Sequence, residues 1–254
     1  MGAGAGRAVL DSVRVARALD DDLDAADRYV VRGHSQGGHA ALFAGALAAD
    51  GYAPELSLAG VGALAPATDL GDLLAAAQGT RGGLVLTAQA VESWSRVYPE
   101  LSFEEGVARR AQRVTRSLAR RCITFPAYYV AAAQALLLPD RILAIDVTRD
   151  PRWVRRLSEN TPAGAIEAPV LVGQGRDDGI VSARVSRAHV ARRCAEGVGI
   201  DLREYDGGHL DIIEAAGADL LAWTAGRLAD EPVPAGCAAP DDPRPVAAGR
   251  SIDE

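Results

Sequence analysis

The sequence has no lysine. All 27 of its basic residues are arginine, a coding bias more than a functional device. Methionine appears once, and aromatic residues make up only 5%. No apolar stretch reaches the roughly 20 residues that cross a bilayer, so no transmembrane segment is expected. The opening Met1-Gly-Ala-Gly-Ala-Gly6 lacks the apolar core of a secretory leader. The net charge is −7 and no basic run stands out, which argues against nucleic acid or an anionic membrane surface as partner. Three cysteines, Cys122, Cys194 and Cys237, leave an odd one out. Their spacing does not fit a metal site and the four histidines do not cluster with them, so no metal or organic cofactor is expected.

What is present is enough for one large domain with a sizeable core: 254 residues, 48% of them hydrophobic. The most informative stretch is Gly33-His34-Ser35-Gln36-Gly37-Gly38, between the apolar run Tyr29-Val30-Val31 and a helical run from His39 to Leu47. A Gly-x-Ser-x-Gly between strand and helix is the pattern of a nucleophile elbow. The turn is so tight that only glycine is expected two positions to either side, at Gly33 and Gly37. It holds the Ser35 hydroxyl clear of the backbone and offers the Gln36 N–H as an oxyanion donor.

Periodicity supplies the surroundings. Residues 7–19 read as a helix, 28–32 as a strand, and the elbow helix runs to about Asp50. Strands follow at 56–63, 168–173 and 200–205, with helices over about 182–196 and 210–228. Alternating strands and helices imply a parallel sheet with right-handed crossovers. About a hundred residues between the second and third strands show helical periodicity, clearest at 84–98, 104–119 and 127–138, too long for a loop. The expected division is a first core part over 1–66, a helical cap over 67–165, a second core part over 166–238 and a disordered tail over 239–254. Trp94, Tyr98, Phe125, Tyr128, Tyr129 and Trp153 concentrate in the cap. Packing its own core is the first expectation for them, lining an acyl pocket the second.

A serine hydroxyl needs a base to take its proton. His34 and His39 precede any plausible acid, and His189 lies in an Arg-rich helix as an expected solvated residue. His209 follows the last strand after a flexible Gly207-Gly208, and is the candidate base. The acid comes from Gly175-Arg-Asp-Asp-Gly-Ile-Val181, just after the third strand, where Asp178 is favoured over Asp177. Its role is to orient His209 and stabilise the imidazolium that forms. Asp177 is left to cap a helix or face solvent, and Asp211 to serve as an N-terminal helix charge.

Several stretches together resemble the secreted lipase family of the α/β-hydrolases. They are Gly33-His-Ser-Gln-Gly-Gly-His-Ala-Ala-Leu-Phe43, Ala65-Pro-Ala-Thr-Asp-Leu70, Pro169-Val-Leu-Val-Gly-Gln-Gly175, Tyr205-Asp-Gly-Gly-His-Leu-Asp211 and Pro234-Ala-Gly-Cys237. The resemblance implies an α/β-hydrolase sheet with an inserted helical cap. It also implies ester hydrolysis outside the cell, commonly of acylglycerols, through Ser35, Asp178 and His209, and a disulfide between Cys194 and Cys237. The partner is then a small acyl ester or lipid. An amidase or peptidase, or a weak or non-catalytic homologue, is the alternative. The departure is at the front. Family members carry about a hundred or more residues there, which supply the first strands, a signal peptide and a second oxyanion donor. A missing donor costs ~10²–10³ in rate by analogy. An apolar central strand left at an edge invites association. The chain alone is therefore expected to self-associate and to hydrolyse esters weakly, and the upstream strands to restore both properties.

Overall fold

The computed structural model describes residues 1–19, 26–77, 80–121, 127–233 and 237, and all their side chains except those at 127–129 and 132. Four strands, β1 (Arg28–His34), β2 (Ser57–Leu64), β3 (Val170–Gly175) and β4 (Ile200–Tyr205), form one parallel sheet in the order β1-β2-β3-β4. Before β1 comes α1 (Gly2–Leu19), and between β1 and β2 comes α2 (Gln36–Ala49). Between β2 and β3 lie α3 (Leu70–Ala77), α4 (Arg81–Val97), α5 (Phe103–Gly106), α6 (Gln112–Ala119), α7 (Ala127–Ala135) and α8 (Pro151–Glu159). After β3 come α9 (Ala183–Ala195) and, beyond β4, α10 (Asp211–Ala215) and α11 (Gly217–Leu228).

A parallel sheet is covered by helices on both faces, so its strands are apolar on both. Alternation sorts the side chains. Tyr29, Val31, Val170, Val172, Ile200 and Leu202 share a buried cluster with Leu10 of α1, Leu42 of α2 and Val190 of α9. Val30 and Leu171 lie in the other cluster, with Leu220 and Trp223 of α11 and Ile212 of α10. Gly60 makes room for that helix: a Cβ there would lie 2.6 Å from the Trp223 ring.

The segment between β2 and β3 has a core of its own. Leu84, Val91, Leu118, Trp153 and Leu157 are buried together. Trp94 stacks on Trp153 with ring centres 6.1 Å apart, and Tyr98 meets Trp94 edge-on. Phe125 lies outside the described residues, as do Cys122 and the tail from residue 238.

Three expectations need correction. The helix expected over 104–119 breaks into α5 and α6, because the backbone between them pairs elsewhere: Ala108 N–H donates to Ile142 O and Ala144 N–H to Gly106 O, both at 2.9 Å. The last helix breaks at Ala216 into α10 and α11. His189 is not solvated but 2% exposed. It shares the inner face of α9 with Val185, Ser186 and Val190, while Arg184, Arg187 and Arg192 occupy the outer one. Arg-rich composition describes only that outer face. Burial, reinforced by the nearby Arg192 and Arg193 charges, pushes the His189 imidazole down to about 4.

Candidate active site

β1 ends at the elbow. Ser35 N–H donates to Leu64 O of the neighbouring strand at 2.8 Å, which fixes where the turn begins. Ser35 has φ 57° and ψ −116°, a backbone conformation costly for a non-glycine residue. The turn has no room for a side chain at Gly33, where a Cβ would lie 2.2 Å from the Gly37 backbone. The expectation that Gly37 must also be glycine is corrected: a Cβ there meets nothing within 4 Å, because Gly37 faces outward on the first turn of α2. The second tight position is Gly38, whose Cβ would lie 3.0 Å from Pro66. Gln36 opens α2, so its N–H has no intrahelical acceptor and lies at the positive end of the helix.

The other two candidates come from the carboxyl ends of β3 and β4. The Asp178 side chain is fully buried, whereas Asp177 faces solvent. Asp178 accepts from Ile180 N–H at 2.8 Å, Val181 N–H at 2.7 Å and Gln174 Nε2 at 3.2 Å. His209 stands on a loop that packs tightly against β3: a Cβ on Gly175 would lie 2.6 Å from Gly207 O. Gly207 has φ 109°, which favours glycine, and Gly208 N–H donates to Asp211 at 2.7 Å. Asp211 thus braces the loop from the first turn of α10.

Ser35, Asp178 and His209 meet. His209 Nδ1–H donates to Asp178 Oδ2 at 2.8 Å, and His209 Nε2 accepts from Ser35 Oγ at 2.9 Å. Burial alone would raise the Asp178 carboxyl. Hydrogen bonds from His209 and from the Ile180 and Val181 N–H groups outweigh it and hold the group below its ordinary value. A carboxylate so supplied with donors remains charged and holds the imidazole in the tautomer that can accept a serine proton.

Two supporting residues escaped the reading of the sequence. His34 Nε2–H donates to the His209 carbonyl at 2.7 Å, with the two rings 4.6 Å apart. Burial and the nearby His209 ring lower the His34 pKa, despite the opposing pull of that carbonyl. Gln174, fully buried, donates to Asp178 and to Val181 O and accepts from Ser186 Oγ at 2.6 Å. Nothing in its residue type signals this; only its place at the end of a buried strand beside the acid loop could have. His39, also buried, donates to Asn160 O at 2.8 Å and so ties α2 to the segment between β2 and β3. Cys194 and Cys237 are joined in a disulfide with Cα atoms 5.8 Å apart. Among the described residues no group of His, Cys, Asp and Glu is arranged to hold a metal.

The sequence pattern described as secretory lipase matches residues 1–236. The chain belongs to the secretory lipase family. Solved structures agree at the level of fold. Candida antarctica lipase A in its closed state is 20% identical with a TM-score of 0.75, covering 94% of this chain and 57% of that one. Another structure of that lipase gives 19%, 0.72, 89% and 55%. The rice cell wall degrading esterase LipA of Xanthomonas oryzae is 17% identical with a TM-score of 0.66, covering 90% of this chain and 64% of that one. The chain thus spans a little over half the length of the lipase A structures it matches. No curated protein matches it.

Proposed function

We propose that this member of the secretory lipase family hydrolyses carboxylic esters, with acylglycerols as the substrate class, through an acyl-enzyme on Ser35. The observation that carries the reading is the unbroken path of hydrogen bonds from Asp178 through His209 to Ser35, at 2.8 and 2.9 Å. Ser35 Oγ attacks the ester carbonyl as His209 Nε2 takes its proton. The Gln36 N–H receives the developing oxyanion. The C–O bond to the alcohol then breaks, and the alcohol leaves with the proton from His209. Water, deprotonated by the same imidazole, attacks the acyl-enzyme, and the acid departs from Ser35.

Residues 67–165 act in this reading as a cap that encloses the acyl chain, with a separately packed core that lets it hold its shape. The Cys194–Cys237 bridge suits an oxidising, extracellular setting. The test is hydrolysis of paired p-nitrophenyl esters and anilides by the protein and by Ser35→Ala. Ester turnover lost in a folded Ser35→Ala protein supports the reading. Turnover retained in that variant overturns it, and preference for the anilide redirects it to an amidase.

A further inference from the structure

Residues 109–121 carry six arginines and no carboxylate, in a chain whose net charge is −7. Arg113, Arg116 and Arg120 recur at spacings of three and four, so they share one face of α6, and Arg109 extends the row by a turn. Together with Arg121, Gln112 and Ser117 they line an open cavity of about 730 Å³ with no acidic residue in its wall. Arg116 is engaged, by Glu92 and Glu104 and over the Phe103 ring. Arg109, Arg110, Arg113 and Arg120 are exposed and pair with no carboxylate among the described residues. Helix-dipole complementarity accounts for cations at the carboxyl end of α6. It opposes Arg109, Arg110 and Arg113 at the amino end.

A second feature adjoins this face. Arg121 and Ser117 both hydrogen-bond Gln134 near the end of α7. The next turn exposes two large apolar side chains, Leu136 at 70% and Leu137 at 71%. That turn is held toward the catalytic end of the sheet. Arg81 donates to the carbonyls of Ala135 and Leu138, and Gly82 packs within 3.7 Å, measured from an added Cβ, of Ile180, whose N–H binds Asp178. Exposed guanidinium groups that pair with no carboxylate among the described residues, beside exposed leucines, form a surface with two complementary chemistries. The first pairs with phosphate oxygens, the second enters the acyl layer behind them. A nucleic acid or acidic polysaccharide uses only the first.

We propose that the arginine face of α6 and the Leu136–Leu137 turn together dock the protein on an anionic lipid surface. This goes beyond the hydrolase reading and corrects the expectation drawn from net charge and from the lack of a basic run: net charge averages over a polarised surface, and residues 109–121 are such a run. Each arginine near such a surface strengthens binding roughly fivefold, so losing three weakens it roughly a hundredfold.

The test uses the full chain carrying Ser35→Ala, so that no turnover is needed and failure of the hydrolase reading leaves the result interpretable. Flotation is measured with phosphatidylcholine vesicles and with equimolar phosphatidylcholine–phosphatidylglycerol vesicles. Binding is expected only to the anionic vesicles, and to weaken with salt. Combined Arg109→Gln, Arg113→Gln and Arg120→Gln should abolish it. Arg155→Gln, Arg184→Gln and Arg192→Gln, with the same change in net charge, should not. Leu136→Ser with Leu137→Ser should weaken vesicle binding while leaving heparin binding unchanged. All these positions are exposed, and circular dichroism checks folding. Equal flotation on both vesicle types, equal loss with the two arginine triples, or indifference to the leucine pair overturns the proposal. The last outcome would mark a polyanion site instead.

Discussion

The His34 ring donates to the backbone carbonyl of His209 at 2.7 Å, so a residue of the elbow holds the main chain of the residue that faces Ser35. The bond ties the end of β1 to the loop after β4 across the mouth of the sheet. His34→Leu should therefore lower kcat about fivefold, in proportion to one lost hydrogen bond of about 1 kcal/mol, with KM little changed. His34→Gln, which can still donate, should recover part of the loss. A fall in KM-dependent binding alone, or no recovery in the glutamine variant, would point to packing instead.

Ser35 carries backbone strain, with φ at 57°. Ser35→Gly should raise stability relative to Ser35→Ala by about 1 kcal/mol, as measured by urea unfolding, although both variants lose activity. Equal stability of the two would show that the turn relaxes without cost.

The Asp178 carboxylate is held by four donors, one of them the buried Gln174. Gln174→Leu strands the Ser186 hydroxyl and should cost about 1–3 kcal/mol of stability along with much of kcat. Asp178→Asn should lower kcat far more than Asp177→Asn, because only the first meets His209. The reverse ranking would move the acid to Asp177.

Acid destabilises the fold through the buried His189. The folded protein keeps His189 neutral down to about 4, against an ordinary value of 6.5. The unfolded chain takes up the proton first, so this contribution is intact above the ordinary value and is lost as pH falls toward 4. The loss approaches about 3 kcal/mol. His189→Gln should flatten the difference in unfolding free energy across that window. An identical pH dependence in the two proteins would contradict the buried, neutral assignment.

Much of this was legible in the sequence because glycine and residue order report backbone constraints directly. Gly33 and Ser35 mark the turn of a strand–helix junction, and the unbroken apolar run Tyr29-Val30-Val31 marks a strand covered on both faces. The positions of Asp178 and His209 followed from where strands end. What escaped depends on contacts that composition does not carry. His34 acts through one hydrogen bond to a carbonyl 175 residues away, and Gln174 through several, to Asp178, Val181 and Ser186 on the loop and helix after its strand. His189 was misplaced because Arg184, Arg187 and Arg192 dominate the composition of α9 while the inner face sets its burial. Gly37 was over-read because the motif is fixed by pattern, whereas the space is fixed by Gly33 and Gly38.

The central claim is that Ser35 is a nucleophile activated by His209 and Asp178. It is tested most directly by mapping a fluorophosphonate adduct by mass spectrometry. One modified residue is expected, Ser35, with labelling sharply slowed in His209→Gln and Asp178→Asn and unaffected in Asp177→Asn. An unlabelled Ser35 in folded protein, or labelling indifferent to His209, would contradict it.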